Sequence, residues 1–269
     1  MFRIGHLPRR IRHGEEATLV EHLEELRGRL FVVLIASALS SALAFAFHSH
    51  ILDWLNYPLP AGERHPVTFG VAEPFTVSLT VSLWAGFLLS LPITLWQFWG
   101  FFAPAVHPTF ERKALGLVAV ATGLGLAGLA FGYVILLPRA IHFLTNYDTQ
   151  NFTNLVQARP YYSFVTTILV GIVVIFECPI VVVGLVRTGV LTSGTLRRNR
   201  RTGYVITAVI ALALPGPDLY TTFLELLPMW VLFEASIWVA VVIERGTTAD
   251  AGLIRSHRQQ EDSPRAAGS

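Results

Sequence analysis

The segment Thr18-Leu-Val-Glu-His-Leu-Glu-Glu-Leu-Arg-Gly-Arg-Leu30 is the last strongly charged stretch before the chain turns apolar. Thr18 followed three residues later by Glu21 is a capping-box pattern and predicts a helix start. Leu19, Leu23, Leu26 and Leu30 recur at three- and four-residue intervals and line one helical face, with Glu21, His22, Glu25 and Arg29 projecting elsewhere. The segment reads as an amphipathic helix feeding directly into a membrane span. The Glu25 to Arg29 spacing also suits an ordinary i,i+4 surface ion pair, worth about 0.3 kcal/mol on an isolated helix, and this bland reading stands beside any functional one.

Composition sets the class. Of 269 residues, 53% are hydrophobic and only 14% charged, and the mean hydropathy is +0.55, far more apolar than a soluble domain. The single cysteine, Cys178, excludes an intramolecular disulfide framework and a cysteine-built zinc site. Arg9-Arg10 reads as a cytoplasmic anchor rather than an export signal, because the apolar run that follows is long and lacks a small-residue cleavage site.

Outward from the opening segment, six apolar runs follow. The first, 30–47, is long enough at about 1.5 Å per residue to cross a hydrocarbon core of about 30 Å. Residues 48–72 form a proline-rich loop with a short amphipathic piece around Ile51, Leu52, Trp54 and Leu55. The second run, 75–98, carries Pro92 as a kink. An aromatic, proline-bearing interfacial loop leads to the third, 114–137, whose glycines predict close packing against neighbouring helices. Residues 138–161 read as a polar loop, and the fourth run, 162–186, holds Glu177 near its middle. The fifth, 204–214, meets Pro215 after about half a bilayer of helix, and the sixth, 221–243, is interrupted by Pro228. The fold class is all-α and polytopic. A cytoplasmic N-terminal tail (1–17) and a disordered cytoplasmic C-terminal tail (244–269) flank one transmembrane domain (18–243).

Charge gives the orientation. Of the 20 basic residues, only Arg64, Arg139 and Arg159 fall on the side of the bundle opposite the termini. The positive-inside rule therefore places both termini in the cytoplasm.

The informative residues are acids. An ionisable group within a span costs about 2.5–3.5 kcal/mol even on lenient scales, so Glu177, in Phe176-Glu-Cys-Pro179, marks either a protonated carboxyl bonded to a neighbouring helix or a polar site facing a partner or pathway. Pro179 adds local polarity by freeing a backbone carbonyl. Glu234 lies in a similar Phe-Glu pair nearer the cytoplasm. Glu25 and Glu111 fall on the cytoplasmic membrane surface, where two converging carboxylates would suit two guanidinium groups. No nucleophile–base pair, metal-ligand cluster or phosphate-binding glycine loop stands out. The sequence therefore points away from an enzyme, a bound cofactor and nucleic acid.

These residues carry a resemblance. The chain resembles the TatC family, the polytopic core of the twin-arginine protein translocase, through His22-Leu-Glu-Glu-Leu-Arg27, Gln97-Phe-Trp-x-Phe101-x-Ala-Pro-Ala105, Glu111-Arg112, Phe131-x-Tyr133, Phe176-Glu-x-Pro179, Pro217-Asp218, Pro228-Met229 and Phe233-Glu234. The resemblance implies a cup-like bundle of kinked helices with short fifth and sixth members. It implies that Glu25 and Glu111 recognise the paired arginines of cargo signal peptides, that Phe101 belongs to the same signal-peptide site, and that Glu177 and Glu234 are intramembrane polar or partner contacts. Pro58, Pro104, Tyr133 and Asp218 match further functionally sensitive positions. It also implies TatA-like and TatB-like single-span partners and export driven by the protonmotive force. Thr222 and Pro215-Gly-Pro217 depart from the family pattern. A secondary transporter of a small solute using Glu177 is the competing class, but it calls for an inverted internal repeat, and none is visible.

Overall fold

Prolines decide where the apolar runs bend. The structure, a computed structural model, describes residues 19–102, 111–151, 155–187, 190–214 and 219–266. Helix α1 spans Leu19–Ala46 and the short α2, His48–Asn56, turns off its end. α3 (Glu73–Leu89) and α4 (Leu91–Phe102) meet at Ser90, where Pro92 cannot donate to the preceding turn. The bend there is 52°, at the kink the sequence predicts. α5 (Glu111–Phe131) passes through a π-helical turn, Gly132–Leu136, into α6 (Leu137–Asn146). α7 (Ala158–Phe176) and α8 (Cys178–Arg187) are separated by Glu177, two residues before the donor-less Pro179. α9 (Ser193–Arg198), α10 (Arg200–Ala213) and α11 (Leu219–Ala266) complete the chain.

Among the described residues, four helical stretches are long and apolar enough to cross a membrane: Leu23–Ala46, Leu115–Asn146, Ala158–Val186 and Leu219–Val242. The bent pair Glu73–Leu89 and Leu91–Phe101 makes a fifth. α10, at 14 residues, is about 21 Å long and falls short of a core of about 30 Å, as expected of the fifth run.

Three expectations are corrected. Residues 138–146 are helical rather than loop: the Leu137 amide donates to Gly132 O across the π turn, and this register change admits Pro138 into the first turn of α6. Pro228 lies inside α11 without ending it, as membrane helices tolerate when neighbours satisfy the freed carbonyl. The sixth helix is not short, and its backbone stays helical through Ala266. Ala, Glu, Gln and Arg are frequent beyond Ile243 and favour propagating a helix already nucleated by the span.

α7 is the axis of the bundle. In its most apolar window 56% of residues are buried, against 11% for α1, which presents most of its surface outward. Val165, Ile168 and Ile172 of α7 form the centre of the main core with Leu55, Val81 and Leu136. A smaller core, around Trp99, Ala121 and Ile180, joins α4, α5 and α8. Of the α5 glycines, Gly125 and Gly128 face α7 and α8: a methyl on Gly128 would meet Phe176, and one on Gly125 would meet Leu91 and the Glu177 carboxylate. Gly116 and Gly123 face open space.

At the α2 end, three tyrosine hydroxyls donate to groups in the last turn of α2. Tyr133 Oη donates to Trp54 O at 2.7 Å, Tyr161 Oη to Leu55 O at 2.6 Å and Tyr162 Oη to Asn56 Oδ1 at 2.8 Å. The Tyr133 ring also stacks on Trp54 at 3.7 Å. The two loops at this end are zipped by a single parallel bridge, in which Val67 N donates to Val156 O and Ala158 N to Val67 O, both at 2.8 Å.

Candidate functional site

At the opposite end, α1 lies against α4, and α4 against α5. Glu25 and Arg29 are one turn apart on α1. The Arg29 fork closes on a single oxygen: Nε donates to Glu25 Oε1 at 2.9 Å and Nη2 to the same atom at 2.6 Å. The third arm, Nη1, points across to Gln97 Oε1 of α4 at 3.4 Å. Gly100, a turn further on α4, leaves room for this guanidinium, since a methyl there would overlap Nη1. Glu25 Oε2 is buried and has no hydrogen-bond partner among the described residues. Gln97 and Phe101 are spaced i,i+4 on α4 and share a face, and Phe101 is half-buried. Of the residues singled out from the sequence, Glu25 and Phe101 thus belong to helices that meet here.

Glu111 opens α5, which packs on α4, but its side chain lies outside the described residues, as do Pro104 and Asp218 altogether. Pro58 follows the α2 turn, where Leu59 N closes on Asn56 O at 3.0 Å. Tyr133 sits in the π-helical turn rather than in a loop.

The intramembrane acids are placed very differently from one another. Glu177 stands at the break between α7 and α8, buried, with neither carboxylate oxygen hydrogen-bonded among the described residues. Glu234 is engaged within the chain: it accepts from Tyr204 Oη and pairs with Arg200 at 3.3 Å, so that α10 is braced against α11. Below it, Glu244 accepts from Ser193 N at 2.7 Å and from Ser193 Oγ, tying α11 to the start of α9. Glu225 is fully buried on α11 with both oxygens unpartnered among the described residues. Between α2, α3, α5 and α7 lies an apolar cavity of about 250 Å³ lined by residues including Trp54, Trp84, Leu88, Leu126 and Leu169. Among the described residues, no three His, Cys, Asp or Glu side chains converge to hold a metal ion.

Several of these residues give little signal in sequence. Gln97 and Gly100 become part of the Glu25 site only because α4 packs against α1, and Arg29 reads equally well as surface charge. Glu73 is another: its carboxylate accepts from Phe69 N at 2.8 Å, Gly70 N at 3.1 Å, Arg159 N at 3.2 Å and Gln157 Nε2 at 3.5 Å, joining the two loops at the α2 end.

Comparison with known proteins decides the family. A family profile described as Sec-independent protein translocase protein (TatC) matches residues 21–228. The chain belongs to the TatC family. Among TatC relatives, the Sec-independent protein translocase protein TatCd of Bacillus subtilis (strain 168) is 32% identical over 229 residues, covering 85% of this chain and 93% of its own. The TatC of Aquifex aeolicus (strain VF5) is 34% identical, covering 84% and 96%. A crystal structure described as the twin-arginine translocase receptor TatC in DDM superposes with a TM-score of 0.73 at 33% identity, over 81% of this chain and 99% of that one. A second such receptor structure gives 0.71 at 32% identity. TatC membership favours a multi-pass component of a protein translocase over a solute transporter.

Proposed function

We propose that this chain is the receptor of a twin-arginine translocase, binding the paired arginines of cargo signal peptides at the cytoplasmic face of the cell membrane. Glu25 supplies the carboxylate for one guanidinium and Glu111 for another. Phe101 and the α4 face beside it receive the apolar residues that follow the arginines. The observation that carries this reading is that Glu25 already holds a guanidinium, that of Arg29, through two N–H donors, so its carboxylate has the orientation that charge-assisted recognition of arginine needs.

The apolar part of the signal peptide runs along the bundle, towards the apolar cavity beside Trp54 and Leu169. Glu177, buried and without a partner among the described residues, offers a polar contact to a partner helix. Glu234 acts with it as a partner contact, although Tyr204 and Arg200 hold it when the chain is alone. TatA-like and TatB-like single-span subunits are the partners, and export draws on the protonmotive force. Both termini are cytoplasmic, and Pro58, Pro104, Tyr133 and Asp218 shape the ends of the bundle.

The test is binding of a fluorescent twin-arginine peptide to the full chain in vesicles. Glu25→Ala or Glu111→Ala is expected to weaken binding by about 1.5–3 kcal/mol, roughly ten- to a hundredfold, the range for a hydrogen bond to a charged group. Unchanged affinity in both variants would defeat the receptor reading.

A further inference from the structure

The Glu25 carboxylate offers no open acceptor in the free chain. Oε1 accepts two N–H groups of Arg29, which uses both of its lone pairs. Oε2 is buried away from any approach. An incoming guanidinium needs two acceptor positions for a bidentate contact, and Glu25 presents none until Arg29 lets go. The structure also provides Arg29 with somewhere to go. Its Nη1 already points at Gln97 Oε1 on α4, and the missing side chain of Gly100 keeps space for the guanidinium there. The pair is partly exposed, with 26% of the Arg29 and 18% of the Glu25 side chain accessible, so the exchange takes place at a wet surface and disturbs no core.

We propose that Arg29 is an internal competitor for the cargo-binding carboxylate: it occupies Glu25 until a cargo arginine displaces it onto Gln97, and so sets the affinity threshold a signal peptide must exceed. The proposal rests on Glu25 being a cargo site. It carries a quantitative signature. Every peptide that uses Glu25 must evict the same group, so removing the competitor tightens all of them by one common factor and leaves their ranking alone. A residue that merely shaped the site would, when removed, weaken binding or change the ranking.

The experiment measures binding of two fluorescent peptides, one twin-arginine and one twin-lysine, to the full chain in vesicles of neutral lipid. Arg29→Gln is expected to tighten both by the same factor, roughly two- to fivefold, the size of a partly exposed ion pair. Arg29→Lys keeps the charge but loses the fork, and is expected to tighten both by a smaller, equal factor. It also serves as the deciding variant if Arg29→Gln fails to fold. Tightening in Arg29→Gln with Arg29→Lys indistinguishable from the parent would mean simple charge repulsion and would overturn the proposal. Unchanged or weaker binding in both variants would overturn it too. Glu25→Ala in the same assay separates the two levels. If it weakens or abolishes binding while the Arg29 variants do not tighten it, only the competitor falls; if it changes nothing, the competitor falls, and the receptor reading falls with it when Glu111→Ala changes nothing either.

Discussion

Glu225 shows how a single side chain can run against its surroundings. It lies in a membrane-spanning helix, fully buried, with both oxygens unpartnered among the described residues, whereas Glu234, nine residues on, is held by Tyr204 and Arg200. An unsatisfied buried polar group costs about 1–3 kcal/mol. Glu225→Leu is therefore expected to raise the thermal unfolding midpoint of the detergent-solubilised chain, whereas Glu234→Leu, which strands Arg200 and Tyr204, lowers it. A lower midpoint for Glu225→Leu would show that the carboxyl is satisfied and that the burial argument fails. Sequence alone does not separate the two acids, because the difference lies in what the adjacent helix presents.

Among the elements, α5 shows why a glycine count says less than glycine positions. Gly125 and Gly128 touch the α7–α8 break, and Gly123 faces outward. Gly125→Ala would place a methyl 2.8 Å from Leu91 Cδ2 and 2.9 Å from Glu177 Oε1. Overpacking of this kind costs about 1–3 kcal/mol, and the variant is expected to lose thermal stability by that amount. Gly123→Ala meets nothing within 4 Å and is expected to be neutral or to stabilise by up to about 1 kcal/mol through helix propensity. Equal effects from the two substitutions, read as unfolding midpoints in the same detergent, would remove the claim that α5 packs through its glycines. The sequence reading of a close-packed third span holds for the stretch beside Glu177, where α7 supplies the opposing surface. The sequence also misses the continuation through Pro138, since a π-helical turn leaves no periodic signature that would separate it from a helix end.

Across the whole molecule, the two ends of the bundle are built differently. The α2 end is fastened by hydrogen bonds between segments far apart in the chain: the tyrosine hydroxyls on α2, the Val67–Gln157 bridge and the Glu73 carboxylate. Among the described residues, the other end, with Glu25 and α4, is held by the Arg29 guanidinium shared between α1 and α4, by Tyr204 and Arg200 against Glu234, and by Ser193 against Glu244. Glu73→Ala is expected to speed hydrogen exchange at the amides of Phe69, Gly70 and Arg159 by roughly tenfold, the equivalent of one hydrogen bond of about 1.4 kcal/mol, while amides in the middle of α7 keep their protection. Uniform acceleration across the spans would instead mean that the two ends do not behave as separate units.

The sequence by itself determines the membrane class, the six apolar runs, the bend before Pro92 and the shortness of α10, because each follows from chain length, hydropathy or a missing proline donor and needs no partner. It also singles out Glu25. Tertiary structure alone decides that Glu25 spends its accessible oxygen on Arg29, that Gln97 and Gly100 form the opposite wall, that Glu234 is braced while Glu225 is not, and that Glu73 joins two loops. Those facts depend on which surfaces meet when helices pack, and helix periodicity fixes the face a residue occupies but not the neighbour that face will find.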